Sequence, residues 1–136
     1  MKRTASAHWE GDLKVGKGNL STQSTVLDKS QYSFGTRFEN GKGTNPEELL
    51  GAAHAGCFTM AVSAALGQAG FTATSLDTVA TITLENLTVT GSHLEITGKV
   101  PGISKDKFEE IVKGAEQNCV ISRALSVPIT STATLL

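Results

Sequence analysis

Asn45-Pro46-Glu47-Glu48-Leu49-Leu50-Gly51-Ala52-Ala53-His54-Ala55-Gly56-Cys57-Phe58-Thr59-Met60 opens as a helix and then loses its formal charge, with none reappearing until Asp77. Asn45 suits the N-cap and Pro46 the first helical position. Glu48 stands three residues after the cap, the capping-box spacing in an asparagine version. The helix is expected to reach about Gly67 or Gln68, with Gly70 as its stop signal. From Leu49 to Leu66 every side is apolar or small, so no rotation about the axis yields a solvated face. Such a helix is expected to be buried nearly all round. A membrane span competes with this reading, but His54, Thr59, Ser63, Gln68 and the Gly and Ala residues make the segment less apolar than spanning helices, and no membrane partner is expected.

A chain of 136 residues has difficulty wrapping a helix of about 30 Å with its own strands, which points to a homodimer. Ala52, Ala53, Ala55, Gly56, Ala61, Ala64 and Ala65 would let another helix or sheet approach closely, with Met60 as filler.

Working outward, β-branched and alternating runs at 4–9, 14–21 and 23–27, punctuated by Gly11, Gly16 and Gly18, read as an antiparallel meander, followed by a short strand at 32–38. Runs at 78–89 and 92–100 read as a hairpin turning at Thr90-Gly91. Ser104 caps a second helix over 105–118, on which Phe108, Ile111, Val112 and Ala115 form one stripe and Lys107, Glu109, Glu110 and Lys113 lie outside it. A final strand is expected at 126–136. The order is that of an α+β fold in one domain, 1–136: antiparallel sheets around a long buried central helix, with a second, amphipathic helix.

A net charge of -1 with no basic block leaves no electrostatic footprint for nucleic acid. The N-terminal MKRTASAHWEGDLK lacks the apolar core of a secretory signal, so a cytoplasmic location is expected. Two cysteines, Cys57 and Cys119, are too few for a disulfide framework and are read as either inert core or redox chemistry.

For Cys57 to act as a nucleophile it must ionise, and burial opposes that. The helix dipole does not help three turns inside the helix. A cation is required, and among Arg3, Arg37 and Arg123 the one just before the helix is Arg37, for which Glu47 is the candidate anion. In one unbroken helix Glu47 and Cys57 stand about 15 Å apart along the axis. Either the helix breaks near Gly51 or Gly56, or Arg37 and Glu47 of one chain meet Cys57 of a second copy. The shared site is the preferred reading. His54 and Cys57 alone do not make a metal site, since His8 and His93 stand in unrelated contexts, and no metal or cofactor is expected.

Ala7-His8-Trp9-Glu10-Gly11, Thr36-Arg37-Phe38, Gly43-Thr44-Asn45-Pro46-Glu47-Glu48-Leu49, Gly51-Ala52-Ala53-His54-Ala55-Gly56-Cys57-Phe58 and Asn118-Cys119-Val120-Ile121-Ser122 together resemble the OsmC/Ohr family over nearly the whole chain. The resemblance implies an intertwined α+β homodimer with two sites at its interface. It implies thiol-dependent reduction of organic hydroperoxides, with Cys57 as peroxidatic and Cys119 as resolving cysteine joined in a transient disulfide. Arg37 would activate the thiolate, Glu47 would orient Arg37, and a lipoyl-type dithiol would be the external reductant. Phe38, Leu50, His54, Phe58, Met60 and Ile121 are candidates for the substrate pocket. One departure from the resemblance stands out: family members usually have Cys-Pro after the second helix, where this chain has Cys119-Val120. Two other function classes are weighed, a cysteine acyl or thioester hydrolase using Cys57 with His54 as base, and a non-catalytic binder of small lipid-like ligands.

Overall fold

The computed structural model describes residues 1–136, which gather into two compact units, Met1–Leu49 and Leu50–Leu136.

The first unit holds strands β1 (Ala5–Glu10), β2 (Lys17–Thr22) and β3 (Ser30–Tyr32) as an antiparallel sheet in that order. Gly18 pairs with both Trp9 and Tyr32, whose ring centroids lie 5.4 Å apart over it. A Cβ at Gly18 would fall 2.5 Å from Tyr32 Cε1 and 2.6 Å from Trp9 Cε3, so only glycine lets the two rings close over the strand.

Two expectations fail in this unit. Residues 23–27 do not form a strand. The expected strand at 32–38 is instead mostly a short helix, α1 (Phe34–Phe38). The cause is local: Ser33 Oγ accepts the Thr36 backbone N–H at 3.3 Å while Thr36 Oγ1 accepts the Ser33 N–H at 2.8 Å. This reciprocal capping box outweighs the β preference of the aromatic residues around it.

Helix α2 (Pro46–Gln68) begins where the sequence places it, with Asn45 Oδ1 accepting the Glu48 N–H at 2.8 Å. It runs without a break through Gly51 and Gly56. In the single chain, α2 buries one stripe, Gly51, His54, Phe58, Val62 and Leu66, spaced by three and four residues. Met60, on another face, is exposed.

The second unit carries a three-stranded sheet in the order β4 (Ser75–Glu85), β5 (Thr88–Lys99), β6 (Ile129–Leu135). Strands β4 and β5 are antiparallel, as expected, but their turn lies at Asn86-Leu87 rather than at Thr90-Gly91. Both turn residues have positive φ, 49° and 60°, the twist that suits a two-residue hairpin. Gly91 instead sits within β5, opposite Thr83 and beside the register shift between Thr83 and Leu84. The pairing of β6 with β5 is parallel, not antiparallel. It requires a crossover, supplied by α3 (Lys105–Asn118) and a short helix α4 (Val120–Ala124) that periodicity did not announce.

The buried stripe of α2 from Leu50 onward and the Phe108, Ile111, Val112 and Ala115 stripe of α3 meet Leu94, Ile96 and Val100 in one core. Gly51 approaches Ala80 and Ile82 of β4, and Thr59 Oγ1 donates to Thr78 Oγ1 at 2.7 Å. Phe108 packs so closely on β5 that a Cβ at Gly98 would come within 2.5 Å of its Cζ.

Candidate functional site

In the first unit the loop before α2 is anchored backbone to backbone, Thr44 N–H donating to Gln31 O at 2.9 Å. Asn45 Nδ2 also donates to Thr36 O at 3.1 Å. The first bond ties the loop to β3 and the second ties the start of α2 to α1, and the pair they serve is Arg37 with Glu47. Arg37 donates through Nη2 at 2.8 Å and Nε at 3.0 Å to Glu47 Oε1, and through Nε at 3.3 Å to Oε2. The fork geometry fixes the guanidinium plane as a lysine could not. Glu47 is the more buried partner, its side chain 14% exposed against 42% for Arg37. Arg37 also lies over the Phe38 ring, 5.2 Å from its centroid. A cavity of about 280 Å³ opens beside it, lined by Trp9, Leu13, Tyr32, Phe34 and Phe38 among others. Sequence reasoning named Phe38 but missed Trp9, Tyr32 and Phe34. The Trp9 motif was the available signal.

In the second unit the two cysteines, far apart in sequence, are brought together. Cys57 is half-buried on α2, and Cys119 is 2% exposed. Both thiols are free, and Cys57 packs against the core cluster of which Cys119 is a member. Cys119 closes α3 and caps α4, its Sγ accepting the Ser122 N–H at 3.3 Å. Burial pushes the Cys119 thiol up, but hydrogen bonds from the Ser122 hydroxyl and N–H, from Cys57 and from the Ile121 backbone outweigh it, so the thiol sits below its ordinary value. A helix N-terminus is where a sulfur anion is best held.

Val120 occupies the first position of α4, where proline is favoured, and Cys119 before it has φ -58° and ψ 140°, the conformation a following proline demands. The backbone therefore already adopts the Cys-Pro geometry. Val120→Pro is expected to raise stability by about 0.4–1 kcal/mol by restricting the unfolded chain. A urea midpoint that falls would contradict this.

His54 is fully buried and engages both ring nitrogens, Nδ1 at 2.7 Å from Ser92 Oγ and Nε2 at 2.7 Å from Ser122 Oγ. Desolvation holds its pKa below the ordinary 6.5. Native His54 therefore stays neutral while the unfolded chain takes up a proton, so its contribution to stability is present above pH 6.5 and is lost as pH falls below it. The slope limit for one proton is about 1.4 kcal/mol per pH unit. Urea unfolding at about pH 7 and about pH 5.5 is expected to show that loss, and His54→Gln to flatten it. Glu116, held low by Lys113 and Ser131 against burial that raises it, acts only in the range below 4.5.

Among the remaining expected pocket residues, Phe58 is fully buried in the core and Ile121 packs at its edge. Leu50 is half-buried, and Met60 is 75% exposed in the single chain.

The OsmC-like protein family profile matches residues 39–133. Peroxiredoxin OsmC of Escherichia coli (strain K12) is 49% identical over 134 residues, covering 96% of this chain and 94% of that one. An OsmC-like protein of unknown function from Vibrio cholerae shares the fold with a TM-score of 0.73 at 15% identity, covering 98% of this chain and 99% of that one. The organic hydroperoxide resistance protein OhrB of Bacillus subtilis does so with a TM-score of 0.67 at 18% identity, covering 98% of each chain. By its match over most of its length and by nearly half its residues, the chain belongs to the OsmC-like protein family.

Proposed function

We propose that Cys57 is the peroxidatic thiol and Cys119 the resolving thiol of a dithiol-dependent reductase of organic hydroperoxides. The reaction class comes with the family: a chain 49% identical to a peroxiredoxin OsmC is a hydroperoxide reductase of that type. The observation that carries the finer reading is the packing of one free thiol against the core that holds the other, with the buried one at the N-terminus of α4.

In the cycle, the Cys57 thiolate attacks the terminal peroxide oxygen. The O–O bond breaks, the alkoxide takes a proton and leaves as alcohol, and Cys57 becomes a sulfenic acid. Cys119 attacks that sulfur, the S–O bond breaks, and the thiol proton departs with the hydroxyl as water. An external dithiol, of the lipoyl type in this reading, opens the disulfide by exchange and is itself oxidised.

Arg37, held by Glu47, is the cation assigned to the Cys57 thiolate and to the peroxide oxygen as charge develops there. Because α2 is continuous, the reading assigns that service to a homodimer, in which one copy's Arg37 serves the other's Cys57. The aromatic residues beside Arg37 would favour organic tails over hydrogen peroxide.

The test is stoichiometric. One equivalent of cumene hydroperoxide added to the reduced protein is expected to consume both thiols and leave a Cys57–Cys119 disulfide, seen by peptide mapping. Two intact thiols after excess peroxide would end the proposal. A hydrolase using His54 as base is disfavoured by the engagement of both its ring nitrogens with serine hydroxyls.

A further inference from the structure

The turn between β1 and β2 carries two exposed apolar side chains, Leu13 and Val15, of which only Leu13 lines the cavity beside Arg37. An exposed leucine by itself means little, since folded surfaces are full of apolar atoms. Leu13, 66% exposed, stands apart through what holds it in place. Asp12 closes the turn, accepting the Val15 N–H on Oδ1 at 2.8 Å and the Gly16 N–H on its backbone oxygen at 2.9 Å. Trp9 Nε1–H donates to Gly11 O at 3.0 Å and so ties the indole to the first residue of the turn. A Cβ at Gly16 would fall 2.9 Å from Trp9 Nε1, so the far end of the turn also lies against the ring. Indole and turn are thereby held as one unit, which sets Leu13 at a fixed place on the rim.

The cavity wall is built from two ring pairs, Trp9 with Tyr32 at 5.4 Å and Phe34 with Phe38 at 5.0 Å between centroids. Arg37 is the only charged side chain on that wall. A ligand that fits has one polar end for the guanidinium and an apolar body for the rings. At about 280 Å³ the space is small. It falls just short of the roughly 300–1,000 Å³ of clefts that hold drug-sized molecules. It therefore suits a compact tail, aryl or branched alkyl, and it offers no second cation to a carboxylate at the far end of a long chain.

We propose that Leu13 is the specificity-determining residue for the organic tail of the hydroperoxide: it covers an aryl or branched-alkyl group lying among the four rings, and the site takes such tails in preference to both hydrogen peroxide and long acyl chains. The inference rests on the reading of Arg37 as the cation at the peroxide oxygen. Leu13 makes and breaks no bond; it removes apolar surface of the tail from water. Those contacts are the same before and during O–O cleavage, so they act on capture of the substrate rather than on the chemical step.

Trp9 is the only tryptophan in the chain, so its emission reports directly on the cavity. The first arm titrates the reduced protein with 2-phenyl-2-propanol, the alcohol that cumene hydroperoxide leaves behind, and reads Trp9 fluorescence. A saturable change is expected. Leu13→Ala is expected to raise the dissociation constant about tenfold, the low end of what apolar contacts in a pocket discriminate. Leu13→Met, which keeps the volume, is expected to stay within about threefold. Val15→Ala, on the same turn but outside the cavity, is expected to bind as the unsubstituted protein does. The second arm measures the rate constant of Cys57 oxidation by cumene hydroperoxide, linoleic acid hydroperoxide and hydrogen peroxide. In the unsubstituted protein cumene hydroperoxide is expected to react fastest, and Leu13→Ala to lower its advantage over hydrogen peroxide about tenfold.

An emission that ignores the alcohol overturns the proposal, and one that changes instead with protein dilution shows a second copy in the cavity. Rate constants that fall together for all three peroxides in Leu13→Ala overturn it as well, as does linoleic acid hydroperoxide reacting faster than cumene hydroperoxide. Alcohol binding involves no thiol chemistry, which separates the two readings. If Cys57 reacts with none of the peroxides, the reductase reading fails, while tenfold weaker alcohol binding by Leu13→Ala still upholds the tail site.

Discussion

Cys57→Ser is expected to lower hydroperoxide turnover by roughly 10⁴-fold or more, the scale on which removing a nucleophile acts. A serine oxygen is isosteric enough to keep α2 packed but stays protonated at neutral pH beside any cation, whereas a thiol needs only a modest shift to ionise. Cys57 packs against the core without being sealed in it, so the substitution should leave melting nearly unchanged. Loss of activity would then be loss of chemistry. On the proposed roles, Cys119→Ser is expected to give a different signature, in which Cys57 reacts once and its sulfenic acid persists, so that dithiol-driven turnover collapses while the first equivalent of peroxide is consumed. A Cys57→Ser protein that turns over cumene hydroperoxide at the unsubstituted rate would move the chemistry elsewhere.

Phe108→Ala is expected to be among the most destabilising single changes in the chain, at about 3–5 kcal/mol for emptying a fully buried aromatic site. For a chain of this length that corresponds to a drop of roughly 10–20 °C in melting temperature. The ring lies directly against Gly98 on β5, which makes the pair separable by a double-mutant cycle. Alone, Gly98→Ala sets a Cβ 2.5 Å from Phe108 Cζ and is expected to cost about 1–3 kcal/mol through overpacking. With Phe108→Ala in the background, the added methyl no longer meets the ring and keeps only the Leu76 Cδ2 contact at 3.2 Å. The double substitution should therefore be less damaging than the sum of the two single changes. Additive costs, measured by urea unfolding, would show that the helix backs away from the strand and that the close approach is not what fixes Phe108.

Helix starts were legible because their signals lie within one turn. Asn45 with Glu48, and Ser104 with Lys107, are found as hydrogen bonds at the positions the sequence gives them. The same local logic misled where it was incomplete. Ser33 and Thr36 form a capping box that the aromatic residues around them obscured, so a strand was expected where α1 forms. The hairpin turn was sought at the glycine, whereas Asn86 and Leu87 adopt positive φ, a choice dictated by the register of β4 on β5.

What the sequence by itself determined is the list of parts: the capped, charge-free α2, the amphipathic α3, the Arg37–Glu47 pair and two cysteines in a chain too cysteine-poor for a framework. The two helices rest on residue type and on spacings of about one helical turn, which no distant contact can alter, while the Arg37–Glu47 pair and the cysteines rest on residue type and on their place in the chain. Only the tertiary structure decided that β6 lies parallel to β5, that Cys57 packs against the core that holds Cys119, and that His54 bridges Ser92 and Ser122. Each of those is a contact between residues on different elements, fixed by how the helices pack on the sheet, and no periodicity along the chain encodes it.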